Sequence, residues 1–496
     1  MIILKESLFQ GFTLMMIALG LGIGFLLRLM VSVTQDQMDW IKFPGDLFFN
    51  LLQLFAVPLI VTSVMAEVSG LNSRLPGRSA VFLTTYICGS TILAVTLGMS
   101  LVLLVKPGMD HTTGKTTVNI NMPSSSMHVI FMDLIRLSFD SHRNVVPESF
   151  VQAFYEHYKT EIVQVKMNIP RHYLDPAQNG TETRLMGNYV PGANMVGLIA
   201  SSFTIGIMLN KAGLKAKATV KFIKCLSIAL KIIFNWILWY LPIGLLFLVV
   251  EYVLDISDWT VIIKLIRLTG VIFLGLAIHS FLVLPLIFFV FTKQNPFLIF
   301  FQISKALFTS AILASSAATL PVTIQCCEAN VKVNTKLCRL MLPMVSSINM
   351  NGMALYEVVA VLFIAQISDI LLDVTQIITI CLTCCISSFG AVGVPATGSA
   401  TTILILTAVG LPAHNASLLL VFEWFLDHFT TIVNVLGDCF GVALINHLCQ
   451  DEIVILDKSS SLEGMRSTRE LELDLFCLEP EEEFIPSSSS GSILSM

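Results

Sequence analysis

The sequence predicts an all-α membrane protein that combines full membrane-spanning helices with two interrupted, re-entrant segments. Hydrophobic residues make up 55% of the 496 residues and charged residues only 13%, whereas soluble domains carry about 25% charge. Apolar stretches long enough to cross a bilayer recur along the chain. Beyond Pro296 these stretches become too long and too interrupted for simple helices, and residues 374–422 contain no Asp, Glu, Lys or Arg.

Six stretches before Pro296 each fit one membrane crossing, for which a helix needs about 20 apolar residues. The first is long enough to span the bilayer and lacks the features of a cleaved signal peptide, so it is predicted to be a helix. The net charge of −5 is mild, and no basic patch indicates nucleic acid as a partner. The six predicted crossings are residues 7–27, 47–66, 79–105, 193–210, 232–250 and 268–292.

The short loops predict how the chain is oriented in the membrane. Their Lys and Arg residues fall on one side if the N-terminus is cytoplasmic, as the positive-inside rule requires. The opposite side receives the long polar segment 106–192, whose sequon at Asn179 predicts glycosylation. The segment from residue 450 is acidic and serine-rich, which is typical of a disordered tail, here cytoplasmic.

Two apolar runs are broken in the same way. Residues 315–321 read Ser-Ser-Ala-Ala-Thr-Leu-Pro, and residues 387–398 combine Ser-Ser with glycines and a proline. Asn-Met-Asn-Gly follows the first at 349–352, and Asn-Val-Leu-Gly-Asp follows the second at 434–438. Gly and Pro could merely kink two ordinary helices, but two matched units favour non-helical backbone that lines a cavity at membrane depth, as in transporters.

Ionisable residues inside apolar helices mark the same region. Glu357, Asp427 and Asp438 are costly at membrane depth unless they are paired, so they are functional candidates. Asp427, Thr431, Asn434 and Asp438 recur at spacings of four, three and four residues, which places them on one helical face. Their oxygen atoms suit a hard cation and an ammonium group.

In these motifs the chain resembles the sodium-coupled glutamate and neutral amino acid transporter family, up to about residue 449. The family motifs Ser-Ala-Thr-Leu-Pro, Asn-Met-Asp-Gly-Thr and Asn-Val-Leu-Gly-Asp match residues 317–321, 349–353 and 434–438. The resemblance implies eight transmembrane helices plus two re-entrant helical hairpins with inverted repeats. It also implies a homotrimeric carrier, not an enzyme, in a lipid bilayer, most simply the plasma membrane. A mobile domain would carry substrate past a scaffold in an elevator-type mechanism.

The resemblance also implies a set of site residues. Asp427 would bind the ammonium group of an amino acid, and Asn434 would bind its α-carboxylate. Sodium ions would be transported together with the substrate. A chloride conductance is also implied as an option, and coupling to protons or potassium stays open. The other pocket residues implied are Ser315, Ser316, Met353, Val394, Gly398, Thr430 and Thr431. The sodium ligands implied are Tyr86, Ser90, Val345, Ser347, Asn349, Met350, Asn351, Ser388, Phe389, Asn434 and Asp438.

Departures from the family pattern shape the expected function. Thr430 stands where acidic amino acid carriers place an arginine for the substrate's side-chain carboxylate, so small neutral amino acids are favoured. Glu357 stands where those carriers have their proton-linked glutamate, and Met353 replaces a smaller threonine. Asn351 and Gly89 replace an aspartate and a threonine of a third sodium site, which predicts that this site is weak or absent.

Three functional hypotheses remain open from the sequence. The first is a sodium-coupled carrier of small neutral amino acids, and the second is an acidic amino acid symporter. The third is a weakly coupled, channel-like or regulatory relative. The expected organisation is three helices in 1–105, an extracellular loop region in 106–192 and helices four to six in 193–295. A transport core in 296–449 and the tail in 450–496 complete it.

Overall fold

The computed structural model describes residues 2–30, 33–70, 77–109, 146–166, 181–255, 260–370, 372, 374–390, 398, 401–403, 405–406, 411 and 417–450. The predicted sites at Asn179 and Val394 and the predicted tail from residue 451 lie outside this part. The helices are α1 (Ile2–Met30), α2 (Gln35–Gly70), α3 (Gly77–Val105), α4 (Met195–Ala212), α5 (Lys217–Leu238), α6 (Leu241–Asp255), α7 (Thr260–Ile278), α8 (Leu284–Thr292), α9 (Phe297–Gln302), α10 (Ser304–Leu313), α11 (Ser316–Ala329), α12 (Thr335–Ile348), α13 (Asn351–Ile367), α14 (Val374–Gly390) and α15 (Ser417–Leu448).

Long apolar helices account for most of the described chain. Seven helical stretches are long and apolar enough to cross a membrane, or eight if α5 and α6 count as one bent span, within the residues described. The helix α2 runs for 36 residues, well beyond the predicted crossing 47–66, and it contains Pro44 and Pro58. The predicted class of a membrane protein built from apolar helices is therefore supported.

The predicted crossing 232–250 is not one straight helix, because two helices meet inside it. The helix α5 ends at Leu238, α6 begins at Leu241, and the two axes differ by 50°. Pro242 occupies the second position of α6. Proline has no N–H donor and its ring obstructs a preceding helical turn, so a continuous α-helix cannot pass through this point.

The predicted crossing 268–292 belongs to a longer stretch, Thr260–Thr292. A five-residue π-helical turn, His279–Val283, joins α7 to α8. Pro285 follows at the start of α8 and cannot donate a backbone hydrogen bond. A wider π turn before proline lets the helix continue without that bond.

A pair of antiparallel strands departs from the predicted all-α fold. The strands β1 (Glu156–Lys166) and β2 (Thr181–Pro191) pair in a register that places Glu156 opposite Pro191. The sequence pattern predicted only a loop region here. Tyr158 and Tyr189 face each other across the pair with ring centroids 5.5 Å apart. Aromatic cross-strand pairs of this kind stabilise a hairpin, but the pairing of two tyrosines 31 positions apart is not evident before the register is known.

The helices pack as two sets around separate apolar cores. In one set, α2 packs against α4, α5 and α6, with Phe48, Phe234 and Leu245 fully buried. In the other, α13 is surrounded by α3, α7, α14 and α15. Every residue of α13 from Asn351 to Ala365 is buried. This explains why α13 is apolar all round rather than on one face.

The first interrupted segment forms two short helices joined by a sharp turn. The helices α10 and α11 contain 10 and 14 residues, so they extend only about 15 and 21 Å at 1.5 Å per residue and neither spans a bilayer core. Ala314 at the turn has a φ of +46°. A second interruption separates α12 from α13 at Asn349 and Met350. Of the second interrupted segment, α14 and a few residues near Gly398 are described.

Candidate functional site

The helix α15 carries the predicted polar face without a break. Asp427 is half-buried, and Thr431, Asn434 and Asp438 are buried. Because the helix continues from Ser417 to Leu448, the spacing of four, three and four residues places these side chains in one row. The row contacts the α12–α13 break and lies at the cavity beside the α10–α11 turn, so α15 provides one wall of a candidate site.

The turn of the first interrupted segment faces this row. The Ser315 hydroxyl accepts a hydrogen bond of 3.2 Å from Ala318 N and so caps the N-terminus of α11. Buried helix N-termini carry a partial positive charge and favour anionic groups. A cavity of about 430 Å³ lies next to the turn. It is lined by Phe9, Gln10, Lys231, Asn235, Leu238, Trp239, Leu241, Leu313, Ala314, Ser315, Ala317, Ala318, Trp424 and Asp427.

The break between α12 and α13 is bonded directly to α15. Asn349 is fully buried, and its Nδ2 donates a hydrogen bond of 3.0 Å to Asp438 Oδ1. The backbone N–H of Gly352 donates to Asn434 Oδ1 at 2.8 Å. Asn349 Oδ1 is buried and has no hydrogen-bond partner among the described residues. A buried carboxylate beside an unpartnered carbonyl oxygen is an arrangement that a cation would satisfy.

A second polar cluster joins α3 to the same break. Asn351 Oδ1 accepts hydrogen bonds from Thr91 Oγ1 at 3.0 Å and Ser90 Oγ at 3.4 Å. The Tyr86 hydroxyl donates to the Gly437 carbonyl at 2.8 Å. Asn351 Nδ2 is buried without a hydrogen-bond partner within the described chain. The predicted residues Tyr86, Ser90 and Asn351 are thus brought together, but with a donor rather than an acceptor left over.

The side chains of Thr430 and His428 are both hydrogen-bonded to backbone carbonyl groups of the protein. The Thr430 hydroxyl donates back to its own helix, at 3.1 Å to the Asp427 carbonyl and 3.4 Å to Asp427 Oδ1. His428 Nδ1 lies 2.7 Å from the Ala311 carbonyl of α10. Since threonine is neutral, position 430 offers no positive charge to a second substrate carboxylate.

Two further carboxylates lie close to this region, and one of them, Glu423, was not among the predicted residues. Glu357 is fully buried and accepts a hydrogen bond from the Thr401 hydroxyl. Glu423 is buried, and Tyr356 OH donates to its Oε2 at 3.3 Å. A Cβ added to Gly398 would lie 2.5 Å from Glu423 Oε1. Glu423 could have been found from its position four residues before Asp427, one turn earlier on the same helical face.

Three further predicted residues, Ser347, Ser388 and Phe389, contact their own helices or a neighbouring helix. Ser347 Oγ donates to the Pro343 carbonyl at 3.2 Å, and Ser388 Oγ donates to the Cys385 carbonyl at 2.8 Å. Both hydroxyls are therefore engaged with their own helices. The Phe389 ring packs edge-on against Phe203 of α4, with centroids 6.4 Å apart. The remaining predicted residues that are described, Ser316, Val345, Met350, Met353, Gly398 and Thr431, are buried.

Nearly the whole chain is similar in sequence to known proteins. The model of the sodium:dicarboxylate symporter family matches residues 11–448. The chain belongs to this family. Excitatory amino acid transporter 3 of Homo sapiens is 36% identical over 463 residues, which cover 91% of this chain and 87% of that protein. Excitatory amino acid transporter 2 of Rattus norvegicus is 36% identical over 472 residues, covering 92% and 81%. An excitatory amino acid transporter of Caenorhabditis elegans is 35% identical over 462 residues, covering 92% and 90%.

Membership of the sodium:dicarboxylate symporter family confirms the resemblance found in the sequence motifs. Its members are transporters and not enzymes, and they couple transport to sodium. Together with the seven or more apolar helices, this makes the chain a multi-pass membrane protein. The symporter motifs coincide with the α10–α11 turn, the α12–α13 break and α15, where the buried polar groups meet.

Proposed function

We propose that the protein is a sodium-coupled carrier of small neutral amino acids. The observation that carries this proposal is Thr430. Its hydroxyl is bonded to Asp427 on its own helix, and it provides no charge for a second carboxylate on the substrate. Asp427 lies at the cavity wall, where its carboxylate can accept from an ammonium group. The amino acid head group would therefore be recognised while an acidic side chain would not.

The head group of the substrate would lie between α15 and the α10–α11 turn. Asp427 would accept from the α-ammonium group, and Thr431 would line the pocket beside it. Asn434 Nδ2, which contacts the weak acceptor Met350 Sδ at 3.4 Å, could exchange that contact for the α-carboxylate. The capped N-terminus of α11 at Ser315 and Ser316 favours the same negative group.

The charge of the surroundings opposes an acidic side chain. Glu423 and Glu357 are buried carboxylates that accept hydrogen bonds from the neutral hydroxyls of Tyr356 and Thr401. A further carboxylate beside them would lose its hydration without gaining a positively charged partner, at a cost of several kcal/mol per ion. Met353 lies near Gly398 and restricts the space, which favours small side chains.

Two sodium ions would accompany the substrate as cargo. One would be held by Asn349, Asp438 and the Val345 carbonyl, because Asn349 Oδ1 and the buried Asp438 carboxylate need a cation to balance them. The other would be held largely by backbone oxygens near Ser347 and Met350. Residues implied for this second position, Ser388 and Phe389, end the helix α14.

The packing of the helices supports an elevator-type movement. The set around α2 would be the scaffold, and the set around α13 the mobile transport domain that carries the site. The remaining features proposed from the sequence are eight transmembrane helices, two re-entrant hairpins and cytoplasmic termini in the plasma membrane. Outward-facing apolar residues such as Leu104, which is 80% exposed, would contact lipid or neighbouring copies in a homotrimer.

An acidic amino acid symporter is the second candidate, and Glu357 is the observation that favours it. It is a fully buried carboxylate with one oxygen, Oε2, lacking a partner in the described residues, which suits a group that carries a proton. The excitatory amino acid transporters named above are also about 36% identical to this chain.

Uptake by the purified protein in liposomes separates these candidates. We expect sodium-dependent uptake of labelled alanine and serine, competed by neutral but not by acidic amino acids. Alanine uptake that persists without sodium would contradict the proposal, and aspartate uptake that alanine cannot inhibit would select the second candidate. In Thr430→Arg we expect glutamate uptake at the expense of alanine, because the guanidinium group binds a carboxylate in a bidentate manner. Thr430→Ser is the matched control and should keep the wild-type preference.

A further inference from the structure

The turn between α4 and α5 carries a concentration of positive charge that the candidate transport site does not use. Its lysines are Lys211, Lys215, Lys217, Lys221 and Lys224, and no Asp or Glu occurs between residues 183 and 250. All five lysines are exposed. None of them forms an ion pair with another residue that the structure describes. An unbalanced positive surface of this kind attracts an anionic partner.

The surface of α5 is divided into three sectors. The buried sector, which includes Ser227 and Phe234, packs against α2. Lys217, Lys221 and Lys224 recur at spacings of four and three residues, so they lie in one row along the helix. The third sector is apolar and exposed, and it contains Phe222, Ile228, Ile232 and Trp236.

The exposed apolar sector extends from the row of lysines along the rest of α5. Phe222 is 67% exposed and Trp236 is 70% exposed, which in a multi-pass membrane protein places them against hydrocarbon. Lysine side chains at the end of such a sector lay their apolar stems along it and hold their ammonium groups at the level of the lipid headgroups. One helix therefore offers complementary surface to both parts of an amphiphile, the anionic head and the apolar chains.

The position of the lysines distinguishes this surface from charge that only orients the chain in the membrane. Orientation by the positive-inside rule requires basic residues in a loop but no fixed position relative to an apolar sector. Farther along α5, Lys231 Nζ lies 3.9 Å from Glu67 Oε1. A Cβ added to Gly70 would lie 2.9 Å from Lys224 Nζ, so this ammonium group lies at the C-terminal end of α2, where the helix dipole favours a cation. The lysines nearer the turn are left for an external anion.

We propose that the α4–α5 turn is a binding surface for anionic phospholipids. The acidic groups of the lipid head contact Lys211, Lys217 and Lys221, and the acyl chains lie along the exposed sector from Phe222 to Trp236. Because α5 belongs to the set of helices packed around α2, the bound lipid holds this set in the leaflet that faces the turn. Each lysine near an anionic bilayer surface contributes about fivefold to the affinity, so the loss of three should weaken binding about 100-fold.

The test uses the full-length protein in lipid nanodiscs, made either of phosphatidylcholine alone or of phosphatidylcholine mixed with phosphatidylserine. Native mass spectrometry counts the phosphatidylserine that stays bound, and thermal unfolding gives a second readout, because a ligand that binds the folded state stabilises it. The turn variant combines Lys211→Gln, Lys217→Gln and Lys221→Gln. The matched control removes the same charge from three exposed lysines near α10 and α11, by Lys293→Gln, Lys305→Gln and Lys332→Gln.

We expect wild type and the matched control to retain phosphatidylserine and to unfold at a higher temperature when it is present. The turn variant should bind it about 100-fold more weakly and should lose this stabilisation. In phosphatidylcholine alone the turn variant should unfold at the wild-type temperature, because exposed helical lysines are replaced by a residue of similar helix propensity. Glycerophosphoserine, which is the same headgroup without acyl chains, should not stabilise wild type.

Three results would overturn the inference. One is unchanged binding in the turn variant, and another is an equal loss in both variants, which would show that only the total charge matters. The third is stabilisation by glycerophosphoserine as strong as that by the lipid, which would identify a site for soluble anions instead. Wild type also provides a test that needs no variant. Its retention of phosphatidylserine must fall as the ionic strength rises, and retention that salt leaves unchanged would contradict the proposal.

Discussion

The close approach of α13 to α15 at Gly352 can be tested with one added methyl group. A Cβ at this position would lie 2.5 Å from the Thr430 carbonyl oxygen and 3.0 Å from Thr430 Cα. Both are backbone atoms of a buried helix, so no side-chain rotation relieves the contact and the helices must separate by about 1 Å. Overpacking of this kind typically costs about 1–3 kcal/mol. The shift also lengthens the 2.8 Å bond from Gly352 N to Asn434, a loss of about 1 kcal/mol.

We therefore expect Gly352→Ala to lower the free energy of unfolding by roughly 2–4 kcal/mol. Thermal unfolding of the purified protein in detergent measures this, and alanine uptake reports whether Asn434 remains in place. The matched control is Gly270→Ala, because nothing lies within 4 Å of a Cβ added to Gly270. That variant should be neutral or gain up to about 1 kcal/mol from helix propensity. A Gly352→Ala protein within about 0.5 kcal/mol of wild type, with normal uptake, would refute the described packing.

Three other substitutions test separate parts of the site. Ser315→Ala removes the cap on Ala318 N, so thermal unfolding should show a loss of about 0.5–2 kcal/mol in stability. The variant should also bind the substrate carboxylate more weakly. Ser315→Thr should keep most of the stability and most of the binding. Tyr356→Phe removes the donor to the buried Glu423 carboxylate and should destabilise the protein by about 1–3 kcal/mol, whereas an unchanged melting temperature would show that the contact does not matter. Glu357→Gln should abolish any dependence of the uptake rate on pH, and an unaltered pH profile would assign Glu357 a structural role.

The polar face of α15 could be predicted because it depends only on helical periodicity. Asp427, Asn434 and Asp438 lie in one row along a helix without a break. The interruption near Ser315 was also visible in the sequence, since small and polar residues inside an apolar run have no place in an ordinary membrane helix, whereas the break at Asn349 and Met350 was not predicted. In both cases the local sequence determines the local structure.

Features that depend on distant contacts could not be predicted in this way. The pairing of Asn351 with Thr91 joins positions 260 residues apart, and that of Tyr356 with Glu423 joins positions 67 residues apart. The spacing of apolar and polar residues along the sequence does not reveal such a contact. The bend before Pro242 was missed for another reason. The membrane crossings were predicted from the hydrophobicity of consecutive residues, and hydrophobicity does not show that proline lacks a backbone N–H donor.

Asn349, Asn351 and Gly352 at the α12–α13 break form hydrogen bonds with groups to which we assign different functions. Asn349 is bonded to Asp438, the N–H of Gly352 to Asn434, and Asn351 to α3. A cation held by Asn349, as proposed above, would therefore move the same short piece of backbone that orients the Asn434 amide proposed to bind the substrate. Binding free energies at two sites that share a structural element are linked, and the linkage is reciprocal. With both proposed sites occupied, the interrupted backbone would provide a coupling free energy between ion and amino acid, which a continuous helix would not.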